Sequence, residues 1–228
     1  MAHVKRLSAP KAWRLNRKEQ TFTVKPSAGP QKYEHALAIT VVLRDMLKEV
    51  RTTRECKKIM QEGKILINGK IRKDHRFPVG IFDIISIPAI NENFIMLYDK
   101  TGHIHPQKIS KEEADHKVVK IIGKKMLAGK KTQINLFDGR NLLVDKGDYR
   151  VGDTILLTAD NKIKKHLKFE KGATIYLIGG KHKGTVGTLE EIKPMEGIQS
   201  DHIIFKTKEG KIETLQEYAY IIEKAFTH

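Results

Sequence analysis

TTRECKKIMQEGKILINGKIR, the stretch Thr52–Arg72, decides how this chain is read. Thr52 followed three residues on by Glu55 is a capping-box pattern, in which each side chain satisfies a backbone N–H at the start of a helix. The spacing predicts a helix from there to about Glu62, with Gly63 supplying the backbone freedom a helix end needs. At about 100° per residue, Arg54, Lys57, Lys58 and Gln61 share one face, while Cys56, Ile59 and Met60 share the other. One face packs and the other is a comb of cations. Asn68-Gly69 between ILI and KIR then predicts a two-residue hairpin. Packed beside the helix, that hairpin brings Lys70, Arg72 and Lys73 near the comb.

Working outward, His35–Val50 places Leu37, Ile39, Val41, Val42, Met46 and Leu47 inward, with Arg44, Asp45, Lys48 and Glu49 toward water, as a first helix would. Pro78-Val-Gly80 reads as a turn, Phe82–Ile87 (FDIISI) as a closing strand, and Pro88 as a boundary. Helix, glycine turn, short strand and Asn-Gly hairpin resemble the S-four-type RNA-binding domain, also called the alpha-L motif.

From Asn91 the pattern changes to short strands: FIMLY, then HIH, a small helix capped by Ser110 with Glu113, then KVVKII, INLF, NLLV and TILLT. Short strands at such regular spacing, separated by Gly- and Asp-rich turns, predict a small β-barrel or sandwich. A further unit opens near Gly172, where ATIYLI runs into GGKHKGTVGTL; HIIFK, KIETL and AYIIEK are its last strands. This unit resembles a KOW motif, with Gly184 between Lys183 and Thr-Val-Gly187 at the place of the motif's glycine.

The 228 residues suit two or three small cores, and 39% apolar content suits a globular chain. Forty-three Lys plus Arg against 27 Asp plus Glu give +16, which points to a polyanion, nucleic acid before an anionic membrane. No apolar run reaches the roughly 18 residues of a membrane span, and no secretory signal core is present. A cytoplasmic protein is expected. Cys56 is the only cysteine, which excludes an intrachain disulfide and a multi-cysteine zinc site. The charge is concentrated early: Lys5, Arg6, Lys11, Arg14, Arg17, Lys18, Lys25 and Lys32 face Glu19 alone before residue 34.

Basic extension, S-four-type module, β-rich centre and KOW hairpin, in that order, resemble the S-four-e family of small-subunit ribosomal proteins. RLSAPKAW from Arg6, PSAGPQKYE from Pro26, FPVGIFDIISI from Phe77, ENFIMLYDKTG from Glu92 and IYLIGGKHKG from Ile175 carry the likeness. The chain ends without the longer C-terminal region expected of eukaryotic members, so the resemblance implies an archaeal one. It implies an α+β, mostly β fold: a basic N-terminal extension over residues 1–36, the S-four-type RNA-binding domain over 37–90, a central β-barrel-like domain over 91–171 and a KOW, SH3-like barrel over 172–228. It further implies a structural, ribosome-bound role on small-subunit rRNA beside neighbouring ribosomal proteins. No cofactor, metal, membrane, small-molecule substrate or autonomous homo-oligomer is expected.

Folded RNA presents phosphates and 2′-hydroxyls outward, so fixing it takes Lys and Arg at defined spacing more than base-reading pockets. Aromatic residues, at 7%, are too few to line a stacking groove. Phosphate contacts are therefore expected from Arg54, Lys57, Lys58, Lys70, Arg72, Lys73 and Arg76, flanked by Arg44 and Arg51. On the N-terminal extension Arg6, Lys11, Arg14, Arg17 and Lys18 are expected to touch phosphates, with Trp13 either inserted at a base or docked on the protein. Deleting residues 1–20 is expected to weaken subunit incorporation and leave melting nearly unchanged. At the KOW hairpin Lys181 and Lys183 are candidates, and His182 reads as a surface turn.

Catalytic readings fail on spacing. His103-Ile104-His105 offers two imidazoles on one strand face but no third ligand. Gly123–Lys131, GKKMLAGKK, has one residue too many between its glycines, and Lys131 stands where a phosphate-cradling loop needs Ser or Thr. Cys56 lies on the apolar helix face, and no serine sits in a nucleophile-elbow context. A pseudouridine synthase, which also carries S-four-type modules, would need an Arg-Leu-Asp-type segment that is lacking. A free RNA-binding regulator or elongation factor remains as the alternative without catalysis.

Overall fold

The computed structural model describes residues 3–144, 147–195, 200–207 and 210–223, and the chain divides into two compact units, Met1–Lys117 and Val118–His228. In the first unit the helix spans Thr53–Gln61, and the Thr52 hydroxyl and Glu55 carboxylate complete the capping box. Gly63, at φ +72°, donates to Met60 O, while Lys64 N–H returns to Ile59 O; this closes the helix end in a Schellman arrangement. Leu66–Ile67 pairs with Lys70–Ile71 across Asn68 and Gly69, both at positive φ, as a type I′ turn requires. These strands begin an antiparallel sheet that continues through Ile84–Ile87, Glu92–Tyr98 and Ile104–Ile109. The hydrogen-bonded ladder thus runs across the boundary expected near Pro88, because Ile84–Ile87 and Glu92–Tyr98 share register through Ile87 and Glu92.

The first expected helix is shorter than its apolar spacing suggested. Ala36–Ala38 is a strand against Pro78–Gly80, which is itself strand and not turn. Helical backbone is confined to Ile39–Val41 and a wider-wound turn over Val42–Met46, and Lys48 at φ +61° lies beyond it. Ala36, Leu37 and Ala38 are all buried, so this stretch has no wet face and satisfies a strand as well as a helix. Pairing settles the choice: Gly80 lies so close that a Cβ there would stand 2.9 Å from His35 O.

The N-terminal segment is folded onto the first unit. His3–Lys5 pairs with Phe22–Val24, and Trp13, 1% exposed, packs at 5.4 Å from the Tyr33 ring beside Ile104.

The second unit holds two five-stranded antiparallel sheets. One runs in the order Asn141–Val144, Thr132–Leu136, Lys117–Met126, Thr154–Leu157, Ile163–Leu167, over a core of Val119, Ile121, Ile134, Leu136, Ile155 and Leu157. The other runs Gly210–Leu215, His202–Thr207, Val186–Lys193, Thr174–Leu177, Ala219–Ile221, over Ile175, Leu177, Leu189, Ile203 and Phe205. Lys120 joins them: its buried ammonium donates to Gln216 O, Glu217 O and Ala219 O at 2.8, 2.9 and 2.8 Å. Among the described residues no helix is long and apolar enough to cross a membrane.

Candidate nucleic-acid interface

The Thr53–Gln61 helix divides as its sequence requires: Cys56 and Met60 are buried, Ile59 is half-buried, and Arg54, Lys57, Lys58 and Gln61 are exposed. Lys70, Arg72 and Lys73 are exposed on the hairpin and just after it. The hairpin does lie against the helix end, since a Cβ on Gly63 would sit 3.2 Å from Ile71 Cγ2. Helix comb and hairpin cations are therefore carried, all exposed, on two elements packed side by side.

Two buried devices hold that surface rigid. Asp83, fully buried, accepts from Gly80 N–H at 2.8 Å, Asn68 Nδ2 at 2.9 Å and Lys117 Nζ at 2.6 Å, with Gln31 Nε2 at 3.5 Å. Asn68 returns an acceptor to Ile84 N–H at 3.0 Å, so the hairpin turn is locked to the core by both ends of its amide. The second device is a chain of contacts in which Cys56 Sγ reaches Thr40 Oγ1, and the Thr40 hydroxyl donates to His75 O at 2.5 Å. Helix, preceding turn and the loop carrying Lys73 and Arg76 are thereby fixed together.

Local electrostatics report a positive field. Burial pushes the His75 imidazole below its usual range, and the Lys57 and Arg76 cations add to this against the opposing Asp74. Asp74 is held below the carboxylate norm because the Arg76 amide and Ser27 hydroxyl outweigh its burial. Arg72 lies 4.7 Å above the Phe77 ring, which directs its guanidinium while leaving it exposed. Arg76 is half-buried and Arg51 exposed.

Three expected contacts are committed elsewhere. Arg6 is only 2% exposed: its guanidinium donates to Phe22 O, Asn16 O and Gln20 Oε1, because it is the buried post around which the N-terminal segment folds. Arg17 donates to the carbonyls of Arg6, Leu7, Ala9 and Pro10. Arg44 is half-buried on Asp45 and Thr53 Oγ1, and the Asp45 hydrogen bond raises its pKa further. Lys11, Arg14 and Lys18 are exposed, as is Lys181, and Lys183 is half-buried. Trp13 takes the docked alternative.

The residues that sequence reading missed are the supporting ones. A lone acid inside the apolar run Phe82–Ile87 was the available signal for Asp83, since a carboxylate there must find buried partners. Nothing in the sequence marked Thr40 or Lys117. Among the described residues no group of three His, Cys, Asp or Glu side chains gathers as a metal site would need. Cys56 is buried, which raises its thiol pKa and opposes thiolate chemistry.

The capped helix, Gly63 turn and Asn68-Gly69 hairpin packed on the helix end define an S-four-class domain, with exposed cations on helix and hairpin. Comparison with known proteins agrees: the S4 domain model matches residues 41–85, the RS4NT (NUC023) domain residues 2–34, and Ribosomal family S4e residues 90–163. The chain is 42% identical over 221 residues to small ribosomal subunit protein eS4 of Methanosphaera stadtmanae, covering 96% of this chain and 91% of the relative. It is 39% identical over 223 residues to the eS4 protein of Archaeoglobus fulgidus, covering 97% and 93%. A crystal structure of the 30S ribosomal protein S4e from Thermoplasma acidophilum superposes with a TM-score of 0.70 at 28% identity, covering 82% of this chain and 95% of that one. This chain belongs to the S4e family of ribosomal proteins, a family of structural proteins and not of enzymes.

Proposed function

We propose that this chain is a structural constituent of the small ribosomal subunit and binds its rRNA through Lys and Arg contacts to phosphates. The observation that carries the reading is the exposed set Arg54, Lys57, Lys58, Lys70, Arg72 and Lys73 on one braced surface, with Arg51 and Arg76 at its margin. A preorganised array spends little entropy on ordering its cations when a shaped RNA arrives. Lys11, Arg14 and Lys18 on the N-terminal segment extend the contact, and Lys181 and Lys183 supply a further one from the Gly184 turn, whose φ of +79° suits a KOW-like hairpin. Arg6, Arg17 and Arg44 serve by positioning the segments that carry the others. The partners are small-subunit rRNA and adjacent subunit proteins, the location is the ribosome in the cytoplasm, and the protein forms no autonomous homo-oligomer.

Sedimentation and chemical footprinting test this together. The protein should co-migrate with small subunits through moderate salt and protect a discrete set of rRNA positions in their naked transcript. A protein that sediments apart from subunits and protects no rRNA position would be a free factor.

A further inference from the structure

Gly123–Lys131, GKKMLAGKK, is not a phosphate-cradling loop, and the fold gives it another form. Lys124, Lys125 and Met126 pair with Ile134, Gln133 and Thr132, and Leu127 N–H donates to Lys131 O at 2.8 Å. Gly129, at φ +77°, turns the chain. The Lys117–Met126 strand is buried from Lys117 to Ile121 and exposed from Lys124 onward. A Cβ on Gly129 would meet nothing within 4 Å, so the space beside this residue of the turn is open.

What this hairpin tip displays is a specific mixture. Met126 is 75% exposed and Leu127 is exposed beside it, with Lys124, Lys125 and Lys131 exposed around them. Among the described residues none of these three lysines is paired with a carboxylate. A solvated turn has no use for two large apolar side chains, and exposing them to water is unfavourable. Backbone hydrogen bonds nevertheless hold them at the end of a regular hairpin.

We propose that this tip is a second RNA contact, separate from the helix-and-hairpin face. Met126 and Leu127 lie against an exposed sugar and base surface of rRNA, and Lys124, Lys125 and Lys131 meet the phosphates on either side. An A-form helix offers a wide, shallow minor groove of this character, and unpaired bases offer the same apolar surface. The inference rests on the rRNA-binding reading above. It selects RNA over an apolar protein groove because uncompensated lysines around an apolar tip complement phosphates around a base surface.

The test uses the full chain and a transcript of small-subunit rRNA, with affinity measured across a range of KCl concentrations. The K124Q/K125Q/K131Q variant should lower the slope of log affinity against log salt by roughly 2–3. M126S/L127S should weaken binding at least about fivefold with the slope unchanged, and both variants should melt as the parent does. An iron chelate tethered through M126C should cleave the transcript at one localised site. Parent-like binding by both sets of variants, with no localised cleavage, would overturn the proposal while leaving the broader reading intact. Normal rRNA affinity with lost subunit incorporation would overturn it in favour of a protein contact. Failure of the parent chain to bind the transcript would overturn both readings.

Discussion

Replacing Asp83 by alanine removes the acceptor shared by Gly80 N–H, Asn68 Nδ2 and Lys117 Nζ. The Lys117 side chain is 7% exposed, so the variant leaves an ammonium out of water with its 2.6 Å counter-charge gone. Breaking a buried pair in this way costs about 3–5 kcal/mol, a large share of the stability of a small unit. Trp13 is the sole tryptophan, is buried and belongs to the first unit, so its fluorescence reports that unit's unfolding in urea. With a slope of about 2 kcal/mol per M, the midpoint should fall by roughly 2 M. Asp83→Leu combined with Lys117→Met should recover much of the loss, since an apolar pair needs no counter-charge. A loss below about 1 kcal/mol for Asp83→Ala, or a double variant no better than the single one, would refute the reasoning.

Deleting residues 1–20 removes Trp13, the Arg6 hydrogen bonds and the Ala12 carbonyl that accepts from Ile104 N–H, so the melting temperature should drop by roughly 10 °C or more in calorimetry. Unchanged melting would instead match the sequence-based expectation that residues 1–20 serve subunit incorporation and not the stability of the free protein. Burial lowers the Lys120 pKa from 10.5 to about 8, so between about pH 8 and 10 the unfolded chain binds more protons than the folded one. Stability relative to Lys120→Met should therefore be constant below pH 8 and rise by roughly 3 kcal/mol as pH increases through that window, measured by urea titration at each pH. A relative stability that falls with pH would contradict the assigned burial. In the first unit, burial raises the Tyr98 pKa from 10.0 to about 12, so that unit's stability should fall as pH rises from about 10 to 12.

Much of the fold was legible where local chemistry and tertiary need coincide. Thr52 with Glu55, Gly63 and Asn68-Gly69 each dictate a backbone state, and each holds. Only Ala36–Ala38, at the start of the expected helix, was misread, because three small or apolar residues carry no period of their own and Pro78–Gly80, about forty residues away, decides their form; Ile39–Met46 is helical as expected. Arg6 shows the same limit in charge. Sequence places a cation in a basic segment, but whether its guanidinium meets phosphate or carbonyls depends on how Asn16, Gln20 and Phe22 return to it. The cation surface was visible since helical spacing and a hairpin specify it, whereas its bracing by Asp83, Lys117 and Thr40 depends on long-range packing.

The salt dependence of rRNA binding tests the cation surface most directly, with the parent chain set against R54Q/K57Q/K58Q/K70Q/R72Q/K73Q. Engaging roughly 6–10 phosphates should reduce the parent's affinity by about 10³–10⁵ between 50 and 200 mM salt. Removing six charges should flatten the slope by roughly 4–5. A parent titration that is already flat, or a variant slope equal to the parent's, would show that these side chains do not hold the RNA.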